Sequence, residues 1–310
     1  TQTGLEGQTS QTNVQLLSSA EVPSLASKPN IILNMSVGSV LSVADGIAYV
    51  SGHATNVSTL GFLFGHRDAI FHDGLAHNSL VQGARLSGAS RYSYAHNDCD
   101  ALEEMLKAKR GEHKRAVIVT EGLFSMDGNI PDLPRIIELK KRYDCMLLVD
   151  EAHSLGVLGA TGRGAREHFN IDPTDVDMWM STLSKSMCGC GGFIAGSHEL
   201  IEFLKYGSPG FVFSVGMPPI IAVACHKALD IMLREPERVH KLQKISHFFV
   251  DYAASIGLDT GAAQGYAVEL GNPGFLFFPC ERFRFFRKQV LPDAVGQDIF
   301  ALVGNVDVDG

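Results

Sequence analysis

Three scarcities in this chain each exclude a class of protein. The six cysteines include no C-x-x-C pair, which argues against a zinc ribbon or a dense disulfide scaffold and favours a cytoplasmic protein. No apolar run approaches the ~20 residues that a membrane-spanning helix needs. Lysine and arginine total 26 against 34 acidic residues, and this net charge of -8 argues against binding to nucleic acid or to an anionic membrane.

The abundant residue types predict an ordered α/β protein. Of 310 residues, 45% are hydrophobic and 19% are charged, which gives enough apolar surface to offset the entropy of ordering. Apolar runs typical of strands alternate with runs of helical spacing, and this alternation predicts a mostly parallel sheet flanked by helices. The predicted strands are 69–72, 115–120, 145–150, 178–182 and 192–195, and the predicted helices are 98–110, 132–143, 197–206, 219–233 and 236–256.

Polar residues at two predicted strand ends indicate a cofactor site. Asp150 ends a continuously apolar strand, and Lys185 closely follows the next strand. Ligands of open α/β sheets bind outside the carboxyl ends of strands. A desolvated lysine can form a Schiff base with an aldehyde there, and a neighbouring carboxylate can keep a pyridine nitrogen protonated, as pyridoxal phosphate requires.

Each candidate residue also has an ordinary structural interpretation when it is taken alone. Asp150 or His153 is more often a helix cap or a hydrogen-bonded polar residue, and Lys185 is more often a solvated surface lysine. His77 could cap the helix that follows it, and Ser125 could belong to a turn. Their joint spacing favours the cofactor site over these separate interpretations.

Two further motifs favour structure over chemistry. In His96-Asn97-Asp98, the aspartate is predicted to cap the next helix. The pair Cys188 and Cys190 offers only two soft ligands without a nearby Cys/His pair, so no metal site is predicted.

Several motifs, in their order along residues 45–261, resemble those of a known family. They are Ser51-Gly52-His53-Ala54-Thr55-Asn56, His77-Asn78-Ser79-Leu80, Glu121-Gly122-Leu123-Phe124-Ser125-Met126-Asp127-Gly128, Asp150-Glu151-Ala152-His153, Thr182-Leu183-Ser184-Lys185 and Gly191-Gly192. Together they resemble the α-oxoamine synthases, which are fold-type I transferases that depend on pyridoxal phosphate. The resemblance therefore implies a fold-type I α/β architecture and this cofactor.

The resemblance also implies roles for individual residues. Lys185 would bind the cofactor as an internal aldimine and then act as acid and base at the substrate α-carbon. Asp150 would pair with the pyridine nitrogen, His77 would stack on the cofactor ring, and these two residues join Lys185 as the catalytic set. His153 would hydrogen-bond the phenolic oxygen of the ring, and Ser125 would contact the cofactor.

The remaining cofactor-binding residues would hold the phosphate. Gly52 and His53 match the positions whose backbone amides meet it, at a helix N-terminus. Thr182 matches a hydroxyl on the phosphate side. Ser214 lies where the partner subunit of such dimers reaches the phosphate.

The activity implied by the resemblance is condensation of a small amino acid with an acyl thioester of coenzyme A or a carrier protein. Carbon dioxide is lost and an α-amino ketone results. A homodimer with its active site at the interface is implied as well. Another fold-type I activity, such as an aminotransferase or a lyase, is the enzymatic alternative, and a non-catalytic or truncated paralogue that acts as a partner subunit is the other.

Three regions are predicted along the chain. Residues 1–28 form a polar tail or linker without a recognisable secretory signal, residues 29–235 form the pyridoxal-phosphate-binding large domain, and residues 236–310 form a connecting helix and a divergent or truncated C-terminal segment. The family's small C-terminal domain carries an arginine for the substrate carboxylate, and Arg282, Arg284 and Arg287 are candidates that no motif separates. A fragment, a faulty gene model and a divergent enzyme are the open explanations for this departure.

Overall fold

The computed structural model describes residue 41, residues 43–256 and residue 260. The chain separates into two compact units: the first extends to Leu123 and includes Ile130–Leu242, and the second contains Phe124–Asn129 and the chain from Gln243 onward. The polar tail predicted over 1–28 and the candidate arginines between 282 and 287 lie outside the described residues. The predicted boundaries of the three regions stay predictions.

A mostly parallel sheet of seven strands organises the described part of the first unit, as predicted. Its strands follow the spatial order β1-β7-β6-β5-β4-β2-β3. All neighbours from β6 to β3 are parallel, whereas β7 runs antiparallel to both β6 and β1. The strands are β1 (Asp45–Tyr49), β2 (Ala69–Asp73), β3 (Ser90–Tyr94), β4 (Ala116–Glu121), β5 (Met146–Asp150), β6 (Met178–Thr182) and β7 (Gly192–Gly196).

The sequence pattern predicts the five inner strands but neither edge strand. β3 reads Ser-Arg-Tyr-Ser-Tyr and fully buries only Tyr94, so it lacks the continuous apolar run of a strand that is covered on both faces. β1 reads Asp-Gly-Ile-Ala-Tyr, and its glycine and alanine give a weak strand pattern. Both edge strands form because each is hydrogen-bonded to an inner strand: β1 pairs with β7, and β3 pairs with β2.

The five predicted helices form, and their ends differ from the prediction by at most one residue. Asp98 caps its helix as predicted, because its side chain accepts a hydrogen bond from the Ala101 N–H at 2.8 Å. The first helix has small and β-branched residues and no apolar stripe, so its pattern does not predict it. The described helices of four or more residues are α1 (Gly52–Leu63), α2 (Asn78–Leu86), α3 (Cys99–Lys109), α4 (Leu133–Arg142), α5 (Ala165–His168), α6 (His198–Gly207), α7 (Pro209–Val212), α8 (Pro219–Arg234) and α9 (Glu237–Ser255).

The hydrophobic core of the first unit lies between the sheet and the helices that pack on it. Every residue of β2, β4, β6 and β7 is buried, as expected of strands with both faces covered. On one face, Leu60 of α1, Leu80 of α2 and Leu204 of α6 pack in a cluster with Val119 and Leu148 of the sheet. This packing fixes α1 and α2 against the strands.

Three strand ends lie side by side on this same face. Side chains alternate between the faces of a strand, so Glu121 follows Val119, and Asp150 follows Leu148. Glu121 and Asp150 are direct register partners, and Thr182 ends β6 on the same face in the next strand. The fold therefore gathers a polar group at the carboxyl edge of the sheet, beside α1 and α2.

Among the described residues, no helix combines the length and the apolarity that are needed to cross a membrane.

Candidate active site

The N-terminus of α1 is built to lie against the sheet edge. Ser51 caps the helix by accepting a hydrogen bond from the Ala54 N–H at 3.0 Å, and the first turn carries no acidic residue. A Cβ at Gly52 would lie 2.8 Å from Thr182 Oγ1, and a Cβ at Gly192 would lie 2.7 Å from Gly52 Cα. Only glycine permits this approach, which brings the free N–H groups of a helix N-terminus to the ends of β6 and β7.

Asp150 is buried at the end of β5. Its Oδ2 accepts a hydrogen bond from Asn56 Nδ2 at 2.8 Å, and its Oδ1 accepts one from the Ala152 N–H at 2.9 Å. Burial raises the pKa of Asp150, while the hydrogen bonds and the positive charge of Lys185 act in the opposite direction. This carboxylate is therefore well oriented, and a cationic partner would stabilise its charged form.

Glu121 is a buried acidic residue of the site that the sequence analysis did not single out. Burial, together with the neighbouring charge of Asp150, raises the pKa of Glu121 to about 8. Its Oε1 accepts a hydrogen bond from the His77 N–H at 2.6 Å. Strand alternation was the signal that could have found it, because Glu121 ends β4 on the same face on which Asp150 ends β5.

His77 is both a helix cap and an exposed ring at the site. Its Nδ1 accepts a hydrogen bond from the Ser79 N–H at 3.2 Å, and it lies 2.7 Å from Ser79 Oγ. The hydroxyl of Ser79 in turn accepts a hydrogen bond from Asn56 Nδ2 at 2.9 Å. Burial lowers the pKa of His77, against the raising effect of Asp150, so the neutral imidazole is favoured.

Lys185 and His153 meet in front of the strand ends. Lys185 Nζ lies 2.5 Å from His153 Nε2. Desolvation lowers the pKa of the Lys185 amine, although Asp150 and Glu121 raise it. Desolvation and the charge of Lys185 lower the pKa of His153 to about 4, which keeps this imidazole neutral beside the amine.

The structure brings most of the predicted site residues together and leaves others as predictions. The hydroxyl of Thr182 donates to the Gly191 carbonyl at 3.1 Å and lies 2.8 Å from Ser184 Oγ. Ser214 lies in an exposed stretch after α7. Ser125 belongs to the second unit, in a turn that the Gly128 N–H closes on the Phe124 carbonyl at 2.9 Å. The residues gathered at the carboxyl edge are Gly52, His53, His77, Asp150, His153, Thr182 and Lys185.

This donor set fits pyridoxal phosphate. Lys185 supplies an amine of lowered pKa for the aldehyde, and the buried Asp150 supplies a carboxylate for the ring nitrogen. Gly52 lets the start of α1 lie directly against Gly192 and the Thr182 side chain at the sheet edge, and a helix N-terminus binds phosphate. An amine, a carboxylate and an anion site therefore occur together, as the cofactor requires.

Known proteins of similar sequence agree with these observations. Residues 36–269 match the family described as aminotransferase class I and II. The 8-amino-7-oxononanoate synthase of Symbiobacterium thermophilum is 41% identical over 222 residues, which cover 72% of this chain and 56% of that protein. The 4-hydroxy-2,2'-bipyrrole-5-methanol synthase PigH of a Serratia species is 40% identical over 216 residues, which cover 69% of this chain and 33% of that protein.

A solved structure shares the fold. The serine palmitoyltransferase of Sphingomonas wittichii has a TM-score of 0.72 and 26% identity, and the match covers 76% of this chain and 59% of that chain. The chain spans about half the length of the 8-amino-7-oxononanoate synthases that it matches. It belongs to the aminotransferase class I and II family and, within that family, to the α-oxoamine synthases that its motifs predict.

Proposed function

We propose that this chain carries out the condensation of a small amino acid with an acyl thioester, with loss of carbon dioxide, to give an α-amino ketone. The observation that carries the proposal is the meeting of Lys185, Asp150 and the glycine-lined start of α1 at one sheet edge. The similarity to a protein named 8-amino-7-oxononanoate synthase, at 41% identity, supports the acyl-condensing class.

Pyridoxal phosphate is the cofactor of the site. When bound, it supplies an electron sink for the electrons left at the substrate α-carbon. Asp150 holds a proton at the pyridine nitrogen, and Lys185 binds the aldehyde carbon. The backbone amides of Gly52 and His53 bind the phosphate.

Further residues complete the proposed cofactor site. Thr182 binds the phosphate from the side of β6, and His153 hydrogen-bonds the phenolic oxygen. His77 stacks its exposed ring on the cofactor and orients the thioester carbonyl. Ser125 contacts the cofactor, and Ser214 reaches the phosphate of the partner subunit.

Lys185 is the acid and base of the proposed reaction. Its amine has a lowered pKa because it is partly desolvated, so a larger fraction of it is in the neutral form that can accept a proton than in a solvated lysine. It removes the α-proton of the amino acid and returns a proton to the same carbon after carbon dioxide is lost. The neutral His153 beside it accepts a hydrogen bond from the amine without adding positive charge.

Glycine, alanine and serine are the candidate amino acids, and short and long acyl chains are both candidate acyl groups. Glycine, alanine and serine differ by a methyl or hydroxyl group, which apolar pockets distinguish only modestly. The thiol carrier is coenzyme A or a carrier protein. The cytoplasmic location, for which the cysteine pattern is the argument, is part of the same proposal.

Turnover with these substrates tests the reaction. Purified protein with pyridoxal phosphate, each of the three amino acids and acyl-coenzyme A of short and long chain should release free thiol and carbon dioxide in equal amounts for at least one pair. Lys185→Ala should lose both products, because it removes the acid and base. Lys227→Ala is the matched control, since this exposed lysine pairs with Asp230 at 2.9 Å. Amino-group transfer to a keto acid without thiol release would instead establish an aminotransferase.

An exposed apolar surface supports a homodimer. Monomeric proteins seldom expose large contiguous apolar groups, yet Phe213 is 86% exposed and Val215 is 83% exposed on either side of Ser214. Further exposed apolar residues lie on α6 and α8: Phe203, Tyr206, Ile220 and Val223. A second copy that covers this surface would carry Ser214 into the interface, as the proposed phosphate contact requires.

Sedimentation tests this dimer. The wild-type protein should sediment as a dimer, and the double variant Phe213→Asp, Val215→Asp should sediment as a monomer because it places two charges in an apolar interface. Leu86→Asp is the control, since Leu86 is exposed on α2 outside this surface. A wild-type protein that stays monomeric as its concentration is raised would contradict the dimer.

The pH dependence of unfolding tests the raised pKa of Glu121. The folded protein keeps a proton on Glu121 up to about pH 8, whereas an unfolded glutamic acid loses it at about pH 4.3. The contribution of Glu121 to stability therefore falls as pH rises through this window, because the folded state binds its proton more tightly. In cofactor-free protein, Glu121→Gln should make the slope of unfolding free energy against pH less negative, by the equivalent of up to about one bound proton. The control Glu104→Gln changes an exposed residue and should leave this slope unchanged. Urea unfolding between these pH values measures the slope, and an unchanged slope in Glu121→Gln would contradict the assignment.

A further inference from the structure

Asn56 lies at the centre of the site, and the proposed reaction assigns it no role. It is buried in α1, and it follows Gly52 by four residues, which places both on the same face of the helix about 6 Å apart along its axis. The two hydrogen atoms of its amide nitrogen are both used: one bond goes to Asp150 Oδ2 at 2.8 Å and the other to Ser79 Oγ at 2.9 Å.

The orientation of this amide follows from its neighbours. If the amide were rotated by half a turn, its oxygen would face the carboxylate of Asp150, and two acceptors would repel each other. The Oδ1 of Asn56 is buried and has no hydrogen-bond partner among the described residues. A buried acceptor without a partner costs stability, and the two hydrogen bonds that the amide nitrogen donates offset this cost.

The hydrogen bonds continue in one direction from Asn56 to His77. Because Ser79 Oγ accepts from Asn56, its own hydrogen is free to donate to His77 Nδ1 at 2.7 Å. The Ser79 N–H donates to the same nitrogen at 3.2 Å. With Nδ1 as an acceptor, the proton of the neutral imidazole lies on Nε2, at the outer edge of the exposed ring.

We infer that Asn56 is a positioning residue that aligns the carboxylate of Asp150 with the pyridine nitrogen and, through Ser79, holds His77 with its Nε2–H directed outward. This inference rests on the proposed function, because it assigns the ring nitrogen to Asp150 and the ring face to His77. A single rigid helix then sets both ends of the cofactor: its first turn binds the phosphate, and its second turn orients the group at the ring nitrogen. The outward Nε2–H is a hydrogen-bond donor for the thioester carbonyl.

A cycle of substitutions in cofactor-free protein tests the hydrogen bond itself. Asn56→Asp keeps the shape of the side chain but places a second carboxylate against Asp150. In an Asp150→Asn background the donor and the acceptor exchange places, because the amide then lies at position 150 and the carboxylate at position 56. We therefore expect Asn56→Asp to lower the free energy of unfolding much less in this background than in the wild type. Urea unfolding of the wild type, the two single variants and the double variant gives this coupling. An equal cost of Asn56→Asp in both backgrounds would overturn the inference.

Cofactor affinity tests the positioning role. Asn56→Asp should raise the dissociation constant of pyridoxal phosphate about tenfold or more, because a hydrogen bond to a charged group is lost, and the absorbance of the bound cofactor should titrate at a different pH from that of the wild type. Thr59→Val, a buried substitution of similar size on the same helix, should change the constant by less than about twofold. An unchanged affinity and spectrum in Asn56→Asp would overturn the positioning role. A wild-type protein that binds no cofactor would overturn the proposed function and this role, and the unfolding cycle would still decide the hydrogen bond.

Discussion

A buried carboxylate at the end of β5 is the constraint on which the rest of the site depends. Removing a charged Asp150 from water is costly unless donors and a cationic partner surround it. The Asn56 amide and the Ala152 N–H supply two hydrogen bonds, and a protonated pyridine ring would supply the remaining stabilisation. Asn56 of α1 and the Lys185 amine lie around this edge and meet part of that requirement.

Glu121 is the register partner of Asp150 and the second buried carboxyl group at this edge. Two buried carboxyl groups in adjacent register cannot both ionise easily. Glu121 retains its proton because burial and the charge of Asp150 raise its pKa, whereas Asp150 accepts two hydrogen bonds that favour its charged form. The site thus keeps one negative charge where the ring nitrogen would bind, while Glu121 holds the backbone of His77 in place.

The sequence was sufficient for the architecture but not for the contacts between residues of different elements. Alternation of apolar runs predicts the inner strands and the ends of the later helices, because these depend on local burial and capping. β1, β3 and α1 depend on tertiary neighbours, which local pattern does not contain. Local sequence pattern does not predict the roles of Glu121 and Asn56 for the same reason. Each role depends on contact with Asp150, and this proximity is set by strand register and by glycine packing at α1. Ser125 and Ser214 remain predictions, since one lies in the second unit and the other is assigned to a partner subunit.

The central claim is that Lys185 binds pyridoxal phosphate covalently. Borohydride reduction of the protein with bound cofactor fixes the linkage, and mass spectrometry of the digested protein then locates it. The account predicts one modified peptide, which carries the reduced cofactor on Lys185. A cofactor found on a different lysine, or no modified peptide after reduction, would contradict it.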